Sequence, residues 1–318
     1  MSRRLIVVGG DAAGMSAAST AKRRAGEHLE VLVFECGRWT SYSACGIPYW
    51  IGGTVDGPEG LVARSPEEHR ANGIDVRMES EVVAVDPDAG RVTVRADRAE
   101  SSYGYDDLLI ATGAQPVRPD IPGIDAAGVY GVQSLGDGEA IIAGLESGPE
   151  RVVVVGSGYI GLEMAEACVR RGLDTVLVDQ AETPMGTLDP DLGEQINEAM
   201  QEMEIDVRMS TPVTEFATGS DGSVRGVVTD AGTIDADLVV LGIGVRARSD
   251  LAESAGLPIG RSGAITVDPR QRVDAGRHVW AAGDCVESYD RILRAPVHVP
   301  LGTHANKQGR VAGLNLAA

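Results

Sequence analysis

Three things are scarce in this chain of 318 residues, and each scarcity removes a class of function. No apolar run reaches the roughly 20 residues that a membrane-spanning helix needs, so a membrane protein is not expected. Basic charge is in deficit: 28 Lys and Arg stand against 47 Asp and Glu, a formal net charge of −19. A nucleic-acid partner requires a basic stripe and is excluded on that ground; the surplus reads as a solvated acidic surface. The one local exception is Lys22-Arg23-Arg24. Cysteine is sparse as well. Cys36, Cys45, Cys168 and Cys285 include no CxxC pair, which argues against zinc and thioredoxin-type chemistry. Nor is a secretory leader expected: Arg3 and Arg4 precede only a short apolar stretch, 5–10, and then Asp11. The expectation is a cytoplasmic protein whose cysteines are reduced and, by default, structural.

What is present is one plan written twice. The length suits two domains. The apolar strand Leu5-Ile6-Val7-Val8 leads into Gly9-Gly10-Asp11-Ala12-Ala13-Gly14. A helix follows, with Ala17, Ala18 and Ala21 on one side and basic residues at its end, where they suit the helix dipole. A second strand, Val31-Leu32-Val33-Phe34, closes on Glu35. The order recurs downstream: a strand over 152–155, then Gly156-Ser157-Gly158-Tyr159-Ile160-Gly161, a helix over 162–171 capped by Gly172, and a strand over 175–178 that closes on Asp179. Strand–turn–strand patterns at 81–96 and 213–229 repeat in turn, and each runs into an Asp-led apolar strand, 107–113 and 237–244. Pro116, Pro119 and Pro122 mark an extended connection. The expected division is 1–115, 116–244 and 245–318, with the last part returning to complete the first domain.

Both glycine loops suit dinucleotides. The first Gly permits a tight turn, the second lets backbone approach a pyrophosphate, and the third lets helix pack on strand. The helix N-terminus then offers N–H groups and positive potential to phosphate. A lone match is weak evidence, but here each loop sits between strand and helix with an acid closing the next strand. Glu35 and Asp179 are therefore expected to accept hydrogen bonds from ribose hydroxyls. A carboxylate at Asp179, followed by Gln180-Ala181 with no cation, favours NADH over NADPH. Asp11 occupies the second glycine's place, and its carboxylate is expected to turn away from phosphate, for example to cap the following helix.

Taken together, these motifs resemble the pyridine nucleotide-disulfide oxidoreductases, in the single-cysteine branch that holds coenzyme A disulfide reductase, NADH oxidase and NADH peroxidase. The residues that carry the resemblance are 9–14, Ser41-Tyr42-Ser43-Ala44-Cys45-Gly46-Ile47-Pro48-Tyr49, Leu109-Ile110-Ala111-Thr112-Gly113, 156–161 with Glu163, and Val279-Trp280-Ala281-Ala282-Gly283-Asp284. The resemblance implies an α/β fold of two Rossmann-like three-layer domains of the glutathione reductase type. It assigns FAD to the first loop (Gly9, Asp11, Ala12, Ala13, Gly14) together with Glu35, Ser43, Val82, Thr112, Gly113 and Gly283. Asp284 would bind the ribityl chain, and Leu301, Gly302 and Thr303 would pass beside the flavin ring. It assigns the nicotinamide cofactor to Gly156, Gly158, Ile160, Gly161, Asp179 and Gly244. Tyr159 would be the aromatic gate to the nicotinamide, and Glu163 would face it. Relatives also carry a C-terminal dimerisation domain that this chain is expected to lack, which leaves a homodimer open.

The resemblance makes Cys45 the redox thiol. No cysteine stands at the spacing of an intrachain redox disulfide. Gly46 and Pro48 place Cys45 in the first turn of a helix running through Tyr49-Trp50-Ile51, and a helix N-terminus favours thiolate. Ser41 is positioned in sequence to donate a hydrogen bond to the sulfur. Hydride from NADH would reach Cys45 through the flavin. The acceptor would be a coenzyme A-type disulfide or persulfide. An oxidase or peroxidase would instead take Cys45 through sulfenic acid. A ferredoxin or rubredoxin reductase, or a flavin-bound sensor, would leave Cys45 incidental. Arg23 either binds coenzyme A phosphates or ends a solvated helix.

Overall fold

Along the strand Arg3–Val8 the side chains alternate between two buried faces. Leu5 and Val7 enter one core cluster, Ile6 and Val8 another. Burial on both sides is what a central parallel strand demands. In the computed structural model, which describes residues 2–274 and 276–318, this strand pairs in parallel with Leu29–Phe34 on one side and Asp107–Ile110 on the other. The six-stranded sheet runs Arg272–Asp274, Val279–Ala281, Asp107–Ile110, Arg3–Val8, Leu29–Phe34, Ile74–Arg77. The helices Ala12–Ala25 and Gly302–Leu316 pack on the face of Leu5 and Val7. An antiparallel meander, Glu81–Asp86, Arg91–Ala96 and Ala99–Gly104, covers the face of Ile6 and Val8. The result is three layers: helix, parallel sheet, meander.

The second unit repeats this order. Its parallel sheet runs Asp206–Arg208, Asp174–Val178, Arg151–Val155, Leu238–Leu241, Val129–Gly131. Its meander is Val213–Thr218, Val224–Thr229 and Gly232–Asp235. Val153, Val155, Val176 and Val178 pack against Phe216, Val224, Val227 and Ile234 of that meander. Each meander thus has one strand more than the strand–turn–strand pattern in the sequence. The helix after the second loop starts at Tyr159, not at 162, so Tyr159, Ile160 and Gly161 form its first turn.

The first unit holds the residues up to Ser43, Val62–Gln115 and Arg246–Ala318; the second holds Ala44–Leu61 and Pro116–Val245. The segment Ala44–Leu61 differs from the linear division, which places it in the first part. Packing accounts for this. Ile47, Trp50 and Ile51 are buried, and Trp50 lies so close to Gly138 that a Cβ there would stand 2.6 Å from the indole. Arg171 donates to the Ile51 carbonyl.

Small residues let the two helices of the first unit approach closely. A Cβ on Gly309 would collide with the backbone of Ala13, and one on Gly313 would crowd Ala17. Forcing a methyl into such a contact costs about 1–3 kcal/mol. Gly309→Ala is therefore expected to lower the urea midpoint of the first unit; an unchanged midpoint would mean that the two helices are not held this tightly.

Candidate functional site

Each glycine loop is built by the same contacts. Gly9 N–H donates to the Phe34 carbonyl at 2.9 Å, and Gly156 N–H donates to the Val178 carbonyl at 2.8 Å. Gly14 and Gly161 admit no side chain, because a Cβ would collide with the carbonyl oxygens of Gly9 and Gly156. That brings each helix N-terminus against the end of the first strand. No side chain caps either helix, so the first turns present backbone N–H groups to an anion.

The acids also repeat. Gly10 N–H donates to Glu35 Oε2 at 2.6 Å, and Gly37 N–H donates to Oε1 at 2.7 Å. Ser157 donates to Asp179 Oδ2 from its N–H at 2.6 Å and its hydroxyl at 2.7 Å, while Ala181 N–H reaches Oδ1 at 2.9 Å. Both carboxylates brace the loop and keep lone pairs for a ribose.

Asp11 does turn aside, but it caps nothing. Its Oδ1 accepts from Tyr42 N–H at 3.1 Å. Burial pushes its carboxyl up to about 6, against the pull of that hydrogen bond, with Glu35 and Asp284 adding repulsion. Thr40 Oγ1 and Ser41 N–H both donate to the Gly10 carbonyl, so the segment 40–42 is sewn to the first loop.

The other expected residues are spread over both units. Thr112 Oγ1 donates to the Arg248 carbonyl at 2.5 Å, and Gly113 accepts from Arg248 N–H at 2.9 Å. Gly283 N–H donates to Gln308 Oε1 at 2.8 Å. Asp284 Oδ1 is buried and has no partner among the described residues. Its carboxyl is pushed up by burial, opposed by the charges of His298 and His304. Leu301, Gly302 and Thr303 are exposed at the uncapped start of the helix Gly302–Leu316. Val82 spends its side chain on the core and offers a ligand only backbone. Ser43 and Gly244 are exposed. In the second unit Tyr159 is 65% exposed, so it does not cover core. Glu163 is pushed up by burial and then by Glu166. Arg23 is exposed at a helix end, whereas Lys22 is tied to the Leu29 carbonyl.

The cysteines separate by surroundings. Cys168 and Cys285 are buried, and burial raises both thiols, Cys168 to about 12. Desolvation and the neighbouring Glu35 carboxylate push Cys36 up to about 11. Cys45 is exposed, in the short turn Ala44–Gly46. The helix it was expected to begin is Ile47–Ile51, five residues long, with Gly46 as its N-cap. Pro48 is its second residue, so Cys45 stands two residues before the helix and not in its first turn. So short a helix gives the thiol little dipole support.

Among the described residues no group of three or more His, Cys, Asp or Glu could hold a metal, and no helix is long and apolar enough to cross a membrane. Two glycine loops with bracing acids, an orphaned Asp284 oxygen and an exposed Tyr159 do fit a flavin and a nicotinamide dinucleotide. Residues 3–309 match the family model of pyridine nucleotide-disulphide oxidoreductases, and the chain belongs to that family. It is 39% identical over 316 residues to the CoA-dependent NAD(P)H sulfur oxidoreductase of Pyrococcus abyssi, covering 98% of this chain and 69% of that protein. It is 37% identical over 318 residues to an NADH oxidase of Methanocaldococcus jannaschii, covering 99% and 70%. The structure of an NAD-dependent persulfide reductase from A. fulgidus superposes with a TM-score of 0.95 at 35% identity, over 99% of this chain and 59% of that one.

Sequence motifs do not point to the partners Tyr42, Gln308 and His69. His69 is the most notable: it is buried with its Nε2 2.9 Å from Ser41 Oγ. Nothing local in Glu67-Glu68-His69 announces a contact 28 residues back.

The raised Asp11 carboxyl has a testable consequence. Folded Asp11 keeps its proton up to about pH 6, whereas the unfolded chain loses it near 3.8. The folded state therefore binds more protons in that window, and its stability falls as pH rises through it. Asp11→Asn keeps the acceptor for Tyr42 and removes the charge. Relative to wild type without cofactor, its unfolding free energy should improve between pH 4 and pH 7 by about 2–3 kcal/mol. A difference that stays flat with pH would show that Asp11 is not desolvated.

Proposed function

We propose that this oxidoreductase uses FAD in the first unit and NADH in the second to reduce a coenzyme A-type disulfide or persulfide at Cys45. The observation that carries the reading is the contrast among the cysteines. Cys168 and Cys285 are buried; Cys36 is exposed like Cys45, but its thiol is pushed up to about 11, and Cys45 is the cysteine within the motif stretch 41–49. The likeness to the coenzyme A-dependent sulfur oxidoreductase and the persulfide reductase supports this acceptor class.

The roles follow from the contacts above. Residues 9–14 meet the FAD pyrophosphate with helix N–H groups, Glu35 takes a ribose, and the free oxygen of Asp284 takes a ribityl hydroxyl. Thr112, Gly113, Gly283 and the helix start at 301–303 complete that site, with Ser43 and the backbone of Val82 at its margin. Residues 156–161 meet the NADH pyrophosphate, with Asp179 on the ribose. The carboxylate, braced by three donors, repels a 2′-phosphate, which favours NADH over NADPH. Exposed Tyr159 gives a planar ring a surface to stack on, beside Glu163, Ile160 and Gly244. Bound FAD supplies the two-electron step between NADH and sulfur. The Cys45 thiolate attacks the substrate S–S bond, expels one thiolate and keeps the other half as a mixed disulfide. Two electrons and a proton then break that bond, releasing the second thiol and restoring the Cys45 thiolate. Arg23 is the cation for the substrate's phosphates.

A second reading has support in the exposure of Cys45 and in the likeness to the M. jannaschii NADH oxidase: a sulfenic acid cycle that reduces O2 or peroxide.

With Cys45 first converted to its mixed disulfide by coenzyme A disulfide, anaerobic titration of the holoenzyme with NADH should consume one electron pair beyond flavin reduction, and Cys45→Ser, which cannot form that disulfide, should lose it. Equal uptake in the two proteins would remove Cys45 from the reaction. Turnover with coenzyme A disulfide above that with O2 or peroxide decides between the two acceptors. For the cofactor, kcat/KM should favour NADH over NADPH by at least tenfold, about 1.4 kcal/mol, and Asp179→Ala should narrow the gap. A wild-type preference for NADPH would overturn the reading of Asp179.

A further inference from the structure

His298 closes the strand Ala295–His298, which pairs antiparallel with Val286–Asp290 so that His298 lies opposite Glu287. Its ring reaches back along this hairpin to the turn that precedes the partner strand. There Nε2 stands 2.7 Å from the carbonyl oxygen of Asp284. The mechanism gives this ring no task.

The turn that carries Asp284 is anchored one peptide plane at a time. Gly283 N–H donates to Gln308 Oε1 at 2.8 Å, and Gln308 Nε2 donates to Ser288 Oγ at 3.0 Å. The next plane is held through the Gly283 carbonyl, which accepts from Val286 N–H at 3.1 Å. The plane after Asp284 is held through the Asp284 carbonyl by the His298 ring. The plane after Cys285 is held through its carbonyl by Ile265 N–H at 2.8 Å. A side chain from another strand thus completes the series at the residue whose carboxylate matters.

The direction of that bond is fixed by its acceptor. A carbonyl oxygen has no hydrogen to give, so Nε2 carries one. The neutral ring with hydrogen on Nε2 and the imidazolium both satisfy this. The neutral ring with hydrogen on Nδ1 would set two lone pairs against each other.

The bond also guards a cost. Asp284 Oδ1 is buried and has no partner among the described residues. An unpaired buried acceptor costs about 1–3 kcal/mol. Rotation of the peptide beside Asp284 would swing the carboxylate to water and relieve that cost. The His298 bond blocks this rotation and keeps the oxygen waiting for a ligand hydroxyl.

We propose that His298 is a positioning residue for FAD: its Nε2–H, bonded to the Asp284 carbonyl, holds the turn so that the Asp284 carboxylate stays aimed at the ribityl chain. This rests on the reading of Asp284 as the ribityl acceptor.

Two measurements test it, and neither is activity. In holoenzyme labelled with 15N-histidine, the His298 signals are identified by their loss in His298→Gln. Long-range NMR correlations should place hydrogen on Nε2; hydrogen on Nδ1 alone would overturn the proposal whatever the variants do. The FAD dissociation constant is then read from flavin fluorescence across a dilution series of the holoenzyme. His298→Phe should raise it about tenfold. His298→Gln, whose amide offers an N–H, should recover most of that loss; a loss as large as with Phe would mean that the hydrogen bond holds nothing. Added to Asp284→Ala, His298→Phe should cost no more than about twofold, because no carboxylate remains to be aimed. The same loss on both backgrounds would make His298 a structural prop and sink the proposal. So would an unchanged constant in His298→Phe when Asp284→Ala alone weakens FAD. If Asp284→Ala binds FAD as tightly as wild type, the reading of Asp284 itself fails and takes the proposal with it. Should His298→Phe fail to fold, the tautomer of the wild-type ring and the Gln variant decide.

Discussion

The approach of a helix N-terminus to the end of a parallel strand is the constraint on which the rest depends. Gly14 over the Gly9 carbonyl, and Gly161 over that of Gly156, leave no room for a methyl group. Close packing there aims uncapped backbone N–H groups at one spot beyond the strand ends, where an anion is favourable. The neighbouring strand then delivers Glu35 or Asp179 to the same spot. A chain-wide surplus of acid is thus compatible with binding polyphosphates, because the attraction is supplied by local backbone dipoles and not by net charge.

The two loops are built alike and finished differently. The second loop keeps its glycine pattern, and its acid is held by Ser157 and Ala181. In the first, Asp11 replaces a glycine and gives its carboxylate to Tyr42, while Thr40 and Ser41 bond the Gly10 carbonyl. The first loop is thereby fastened to the stretch that leads into Cys45. A substitution that looks unfavourable beside a pyrophosphate becomes a strut for the chain segment that carries the thiol. Its cost is a desolvated carboxyl, visible in the raised Asp11 pKa.

Much of this was legible in the sequence because it is local. Alternating apolar strands, glycines at fixed offsets and an acid closing the next strand each report on a few neighbouring residues, and the repetition of all of them specifies the three-layer plan. The Cys45 turn was less legible. Cys45 would open the helix only with Pro48 at its fourth position, whereas the helix starts at Ile47 with Pro48 second, so Cys45 precedes it. The apolar residues of Ile47-Pro48-Tyr49-Trp50-Ile51 announce burial without naming the core that receives them, which is the second unit's.

The sequence by itself determined the doubled strand–loop–helix–strand units, their dinucleotide chemistry and the singular position of Cys45, since each depends on residue type and short-range order. Tertiary structure alone decided that Asp11 serves Tyr42, that Asp284 keeps an oxygen without a partner among the described residues, and that His69 meets Ser41. These pairings join residues far apart in the chain, and they exist only where two layers bring the groups within hydrogen-bonding distance and exclude water from around them.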